Sequence, residues 1–577
     1  MSNRVHRTAA FCGRSCCRRS FRRSLLFVGA LTLVLAALTS VLAVSVAEAQ
    51  FVEPVNLLFS WDGEADGDQF GFVNRMFGDI DSDGVADIGV GVPRHDGNGE
   101  DSGKVYIFSG RTGVLLRTHE GNAANEFLGY EIANVGDVTN DGVPDYLIAR
   151  PRSINFSQYF GPGEAILYSG ATGDSLHAWS SAQLGGGAGA QVGGAGSFET
   201  LGVGDVNADG TPDFLISALI AVGPNGLAGK VYVVSGANWD EYLWVLNGEA
   251  PIDLFGFGVG GVGDLDSDGH ADFIVGAPRA GVGDHGRAYV YSGATGELFP
   301  FAPLEADSTG AFYGALFAKG PGDVDADGVP DICVGDVQDS ENGANSGKAY
   351  VYSGADGHVL HIFRGEAGSG LGVGRGCGDV NHDGHADLVY SAFLDPANAE
   401  FAGTTYVFSG ADGSVLRTIH NTLEGDRFGY STVGAGDLNG DGEPDFVVSA
   451  TQHDGAGVDR GKVYVISGAT DPASAPDSEP VPSSSDESRL ELRLGPNPAS
   501  SQVDIRFRAL ESGSAEVAVF DVSGARVVTL LDAVLSEGPH AVHWDRTGEQ
   551  GRRVASGVYY VRVRTDGEEA WRSVVLR

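Results

Sequence analysis

Cysteine is scarce in this chain. Of five, Cys12, Cys16 and Cys17 fall within the first 49 residues, leaving only Cys333 and Cys377. Two thiols cannot build a disulfide framework, and no Cys/His spacing suited to zinc is present. They lie just after one acidic loop and just before the next, so a single bridge and a pair of buried small residues both stay open. Basic side chains are also few: 37 Lys and Arg against 77 Asp and Glu leave a formal charge of −40. Such a surface repels nucleic acid and anionic lipid and attracts cations. Helical periodicity is missing over any useful length. So are a Gly-x-Ser-x-Gly elbow, an HExxH pair and a phosphate loop, which removes the commonest enzyme signatures.

The first 49 residues read as a signal peptide. Arg4, Arg7, Arg14, Arg18, Arg19, Arg22 and Arg23 form a basic front, 25–46 is an apolar run, and Ala47-Glu48-Ala49 is a small-x-small cleavage site. The run is long enough to span a bilayer, so cleavage and retention as an anchor are both open. Arg18-Arg19 and Arg22-Arg23 resemble twin-arginine signals, whereas the very apolar core suits general secretion. Either route exports the chain. Losing seven Arg and one Glu takes the charge from −40 to −46.

What the chain has in abundance is one nine-residue acidic loop, seen seven times. The copies start at Asp79, Asp137, Asp205, Asp264, Asp323, Asp379 and Asp437, in steps of 58, 68, 59, 59, 56 and 58 residues. A period that steady marks a repeat architecture. A Phe-Gly element precedes most copies, as at Phe70-Gly71, Phe255-Gly256 and Phe428-Gly429. A short apolar run, an alternating segment such as 104–110 and a final short segment follow each loop. Period-two apolar runs between Gly, Asp and Asn turns are strands. Four strands per repeat and seven repeats predict an all-β, seven-bladed β-propeller over residues 50–470. The seventh repeat lacks a fourth strand, and 57–61 is placed to supply it.

The pattern resembles the FG-GAP repeats of the integrin alpha-subunit head and of bacterial secreted proteins, over roughly residues 56–468. The third and sixth repeats depart from it, with Gly196-Ser197 and Leu371-Gly372 where Phe-Gly is expected. Those blades are expected to pack less tightly at the inner strand.

Positions one, three, five and nine of each loop carry oxygen, and position six is Gly. The expected ligand sets are Asp79, Asp81, Asp83, Asp87; Asp137, Thr139, Asp141, Asp145; Asp205, Asn207, Asp209, Asp213; and Asp264, Asp266, Asp268, Asp272. The remaining three are Asp323, Asp325, Asp327, Asp331; Asp379, Asn381, Asp383, Asp387; and Asp437, Asn439, Asp441, Asp445. Ca²⁺ takes six to eight oxygens, and alternate residues of a tight turn can converge on one point. Up to seven Ca²⁺ are therefore expected, more weakly where Asn or Thr replaces Asp at position three. Asp-Gly as a plain hairpin turn is the simpler reading of any one copy. Seven copies with oxygen at every ligand position outweigh it. The resemblance further implies that each loop joins the first and second strands of a blade.

Residues 471–489 are a Pro/Ser/acid-rich linker. Beyond it, 490–577 shows six candidate strands, from 503–507 to 571–576, and predicts a small β-sandwich. Gly495-Pro496-Asn497-Pro498, 519–524 and 555–560 resemble C-terminal Ig-like domains related to flagellar hook-capping and type-IX sorting domains. That resemblance implies export or retention at the cell surface. Ala499-Ser500 departs from it and leaves the route open.

The expected function is therefore a secreted or cell-surface, adhesion-like calcium-binding propeller with an extracellular protein or glycan partner. No nucleic acid and no membrane span after cleavage are expected. The loop 150–162, with Arg150, Arg152, Phe156, Tyr159 and Phe160, is a candidate contact surface, as is the place shared by Arg94 and Arg279. His95-Asp96 and His453-Asp454 are the one candidate polar cluster for the alternative, a calcium-dependent polysaccharide lyase or hydrolase.

Overall fold

The computed structural model describes residues 51–152, 163–184, 202–219, 221–306, 312–314, 316–455 and 457–469. It resumes at 493–495, 503–509, 513–521, 526–536, 538–548, 552–554, 557–565 and 569–576. The signal segment, most of the loop 150–162, the Gly-rich stretch 185–201 and the linker lie outside the described residues. Every regular element among the described residues is a strand, and no helix there is long and apolar enough to cross a membrane.

The first repeat folds as four antiparallel strands in chain order: Val73–Gly78, Asp87–Val92, Lys104–Phe108 and Leu115–Glu120. The middle two are buried along their whole length, while the fourth alternates between exposed and half-buried. A sheet covered on both faces needs near-continuous apolar strands, which is why Ile88, Val90, Val105 and Ile107 stand in successive register positions. Five further sheets repeat this order, and their first strands begin at Glu131, Gly202, Val259, Leu316 and Leu371.

The seventh sheet holds Phe428–Gly436, Asp445–Ala450 and Lys462–Ile466, and its fourth strand is Leu57–Asp62. Trp61 pairs with Val463 and Asp62 with Lys462. The N-terminal strand thus completes the last sheet, as expected from 57–61. Phe51 adds edge contacts to Phe428 and Tyr464, and Glu53 pairs with His420 of the sixth sheet.

Side chains from six outer strands reach the chain that follows the third strand of the next sheet. Trp61 Nε1–H donates to the Gly113 carbonyl at 3.0 Å, Arg117 to Gly170 at 2.8 Å and Trp179 to Trp239 at 3.2 Å. Trp244 donates to Gly293 at 2.9 Å, His361 Nε2–H to Gly410 at 2.6 Å and Arg417 to Ser467 at 2.7 Å. At the remaining junction the Phe301 ring covers Gly357, where an added Cβ would meet the ring at 2.6 Å. One apolar cluster joins residues of the first and seventh sheets, Val90 and Tyr106 with Val433 and Val447. The seven sheets follow one another as propeller-like blades.

In the third blade the described part of the first strand is Gly202–Gly204. In the sixth blade the first strand is Leu371–Gly378, and Leu371, where other blades have Phe, is buried. Cys333 and Cys377 are buried and not joined in a disulfide, and burial pushes the Cys377 thiol well above its usual range.

The C-terminal region forms a small additional β-domain. A three-stranded sheet (Arg493–Gly495, Val503–Ala509, Gly538–Trp544) and a four-stranded one (Arg526–Leu535, Gly513–Asp521, Gly557–Thr565, Glu569–Leu576) share a core. Alternate residues Val503, Ile505 and Phe507 meet Val517, Val519, Trp544 and Val561 in that core.

Candidate metal centres

Each acidic loop links the first and second strands of its blade, and all seven have one backbone design. Position four is left-handed, from φ +56° at Ala208 to +79° at Gly440, and Gly at position six sits at φ +89° to +93°. Two such bends within three residues curl the chain around its own carboxylates. Non-Gly residues at position four cost about 1 kcal/mol each in backbone strain. Hydrogen bonds within the loop offset that cost. In the first copy Asp79 accepts the N–H of Asp83 and of Gly84, at 2.9 and 2.8 Å, and Asp83 accepts the N–H of Val85 at 2.9 Å.

Position nine behaves differently from positions one, three and five. Asp87 is fully buried and binds backbone through both oxygens: Oδ2 accepts Ile80 N–H at 2.8 Å and Oδ1 accepts Gly110 N–H at 3.0 Å. The same pair of bonds recurs in every copy: Asp145 with Val138 and Gly170, Asp213 with Val206 and Gly236, Asp272 with Leu265 and Gly293. Asp331 binds Val324 and Gly354, Asp387 binds Val380 and Gly410, and Asp445 binds Leu438 and Gly468. Position nine therefore anchors the loop to the end of the third strand.

That anchor also explains the Ser-Gly closing every third strand, whose role the sequence reading missed. A Cβ on Gly110 would lie 1.9 Å from the Ala86 carbonyl, and one on Gly170 or Gly236 1.8 Å from the Pro144 or Pro212 carbonyl. No side chain fits where the strand end crosses position eight. The available signal was the Ser-Gly recurring at the end of each alternating segment.

Burial drives the electrostatics. It pushes Asp87 and Asp445 up to about 7, and Asp213, Asp272 and Asp331 up to about 6. Asp145 and Asp387 move the same way. Asp81 and Asp266 are raised by burial and then by Asp83 and Asp268 beside them. A carboxylate with a raised pKa is one whose charge lacks compensation, and a cation would supply it.

Three loops bring carboxylates together tightly enough to hold a divalent ion: Asp79, Asp81, Asp87; Asp264, Asp266, Asp272; and Asp323, Asp325, Asp331. In each, one oxygen per residue lies within 4.8 Å of the others. Oxygens about 2.3–2.6 Å from a Ca²⁺ sit at such separations, and each carboxylate keeps free lone pairs beside its N–H bonds. The donor set fits a hard cation. These are the three copies with Asp at position three. In the third, sixth and seventh, Asn207, Asn381 and Asn439 each donate to the position-five carboxylate at 2.9 Å, so an amide occupies an oxygen that a cation would use. Thr139 hydrogen-bonds Asp137 at 3.4 Å. The first loop has a further feature: Arg111 donates to the Asp83 carbonyl at 2.9 Å, and its Nε lies 3.4 Å from the Asp83 carboxylate.

Of the other candidates, Arg94 and Arg279 are exposed, and four have structural partners. His95 binds Asp68 at 3.2 Å and His453 binds Asp426 at 3.0 Å, each to the buried acid two residues before Phe-Gly. They are two copies of one turn device. Arg150 and Arg152 both pair with Glu126, at 3.3 and 3.1 Å. Phe156, Tyr159 and Phe160 lie outside the described residues.

These features define an all-β repeat protein in which three of the acidic loops could hold a divalent cation. Comparison with known proteins places it more closely. The FG-GAP repeat family matches residues 255–291 and 428–466, the fourth and seventh blades. The chain is similar to integrin alpha-V of Gallus gallus, 30% identical over 242 residues, covering 40% of this chain and 22% of that protein. It is also similar to integrin alpha-5 of Xenopus laevis, 28% identical over 224 residues, covering 37% of this chain and 20% of that one. The chain thus spans about a fifth of the length of these relatives. PorZ, described as an essential bacterial surface component of the type-IX secretion system of Porphyromonas gingivalis, aligns over 85% of this chain and 64% of its own. Identity there is 13% and the TM-score 0.28, too low to carry an argument.

Proposed function

We propose that the chain is an exported, calcium-loaded propeller with an adhesion-like role. On this reading residues 1–49 direct export, 50–470 form the binding body and 490–577 are an Ig-like module for export or surface retention. Calcium occupies up to seven loops through positions one, three, five and nine, with the first, fourth and fifth strongest. The observation that carries the reading is the sevenfold repetition of one prebuilt acidic loop. The partner is an extracellular protein or glycan, bound away from the metal loops. Similarity to integrin alpha chains supports this non-enzymatic, extracellular role.

The energetics suit calcium as a structural ion. Extracellular modules bind it with Kd of about 10⁻⁴–10⁻³ M. At a few millimolar, linkage then contributes roughly 1–2 kcal/mol per site. Summed over the loops, that is comparable to the stability of a whole domain. Chelator is expected to lower the melting temperature by more than 10 °C and to abolish capture on a glycan and surface-protein array. A melt indifferent to chelator, or robust turnover of a polysaccharide, would replace this reading.

A further inference from the structure

Two of the acidic loops are hydrogen-bonded directly to the loop of the preceding blade. In the fourth blade Ala271 N–H donates to the Asp205 carbonyl at 2.9 Å, and His270 Nδ1–H to the Val206 carbonyl at 2.7 Å. The sixth blade repeats both bonds onto the fifth, Ala386 to Asp323 at 2.9 Å and His385 to Val324 at 2.7 Å. A carbonyl only accepts, so each imidazole carries its proton on Nδ1. In four other loops position eight is Pro144, Pro212, Pro330 or Pro444, which has no N–H to give.

We propose that these loops fill with calcium as coupled pairs, third with fourth and fifth with sixth, an inference that rests on the calcium reading above. Positions one and two of one loop and positions seven and eight of the next form a single hydrogen-bonded strip. Position one carries a carboxylate of the first cavity, and position nine, next along the strip, a carboxylate of the second. A cation that orders either loop therefore holds the strip for both. Each pair joins a loop with Asp at position three to one with Asn207 or Asn381 there. The Asp loop fills at lower calcium and raises the affinity of its Asn neighbour, and the coupling is reciprocal. The exposed pair His382–Glu443, at 3.2 Å, also links the sixth loop to the seventh. Exposed ion pairs contribute little, so the seventh loop stays outside the coupling.

The test is equilibrium dialysis of the full chain against radiolabelled calcium, for the parent, for A271P/A386P and for H270A/H385A. The prolines reproduce the residue already present in four other loops, and neither variant removes a proposed side-chain ligand. The expected parent isotherm is steeper than independent sites allow. In both variants the half-saturating calcium for the Asn loops is expected to rise at least about fivefold, with the total bound at saturation unchanged. An isotherm of independent sites in the parent, or variants that leave it unmoved, would overturn the coupling and leave calcium binding standing. A parent that binds no calcium would overturn both.

Discussion

Arg111 follows the Ser-Gly of the first blade at a position where the other six blades have Ala171, Ala237, Ala294, Ala355, Ala411 and Ala469. Its guanidinium lies against position five of the first loop and, on the calcium reading, would compete with a cation for Asp83. The side chain is half exposed, and ion pairs of that kind are worth about 1 kcal/mol or less. Arg111→Ala is therefore expected to tighten one calcium step by a few-fold, up to about fivefold, in a calorimetric titration, with the number of ions unchanged. An unaltered titration would mean that Arg111 only packs beside the loop. The acidic loops were legible from their spacing, and in three of them positions one, three and nine come together. The anchoring role of position nine was not legible, since Gly110 lies 23 residues after Asp87 and only the sheet brings them together.

At the level of the strand, the outer strands do two things: they end each sheet and bridge to the next. Leu57–Asp62 does this across the point where the last sheet meets the first. Trp61 stacks on Phe108 with ring centroids 4.2 Å apart and donates to the Gly113 carbonyl. Leu57, on the same strand, is exposed. Trp61→Ala is expected to destabilise by about 2–3 kcal/mol, toward the lower end of buried aromatic truncations. Leu57→Ala should stay within about 0.5 kcal/mol. Denaturant melts of the two variants check this; equal, small losses would make the strand an ordinary frayed terminus.

For the whole molecule the governing fact is charge. The loops hold 24 Asp in a chain whose formal charge is −40. Without a divalent ion, screening by salt relieves part of their mutual repulsion. In chelator, raising NaCl from about 0.02 to 0.5 M is expected to raise the melting temperature, because the Debye length shrinks from roughly 20 to 4 Å. With saturating calcium the same change should have little effect. A salt response equal in both conditions would place the repulsion outside the loops.

The fold class, the number of repeats and the strand borrowed from the N-terminus were determined by the sequence alone, because each rests on local period and on counting strands. The candidate strands of the C-terminal domain were legible for the same reason: alternation such as Val503, Ile505, Phe507 marks a buried face by itself. Tertiary structure decided which carboxylate anchors rather than simply faces the cavity, and which acidic loops are hydrogen-bonded to the loop of the neighbouring blade. The imidazoles of His270 and His385 acquire their roles from residues 64 and 61 positions earlier. A one-dimensional pattern records the spacing of residues along a strand, but contacts between adjacent sheets exist only once the sheets are set side by side.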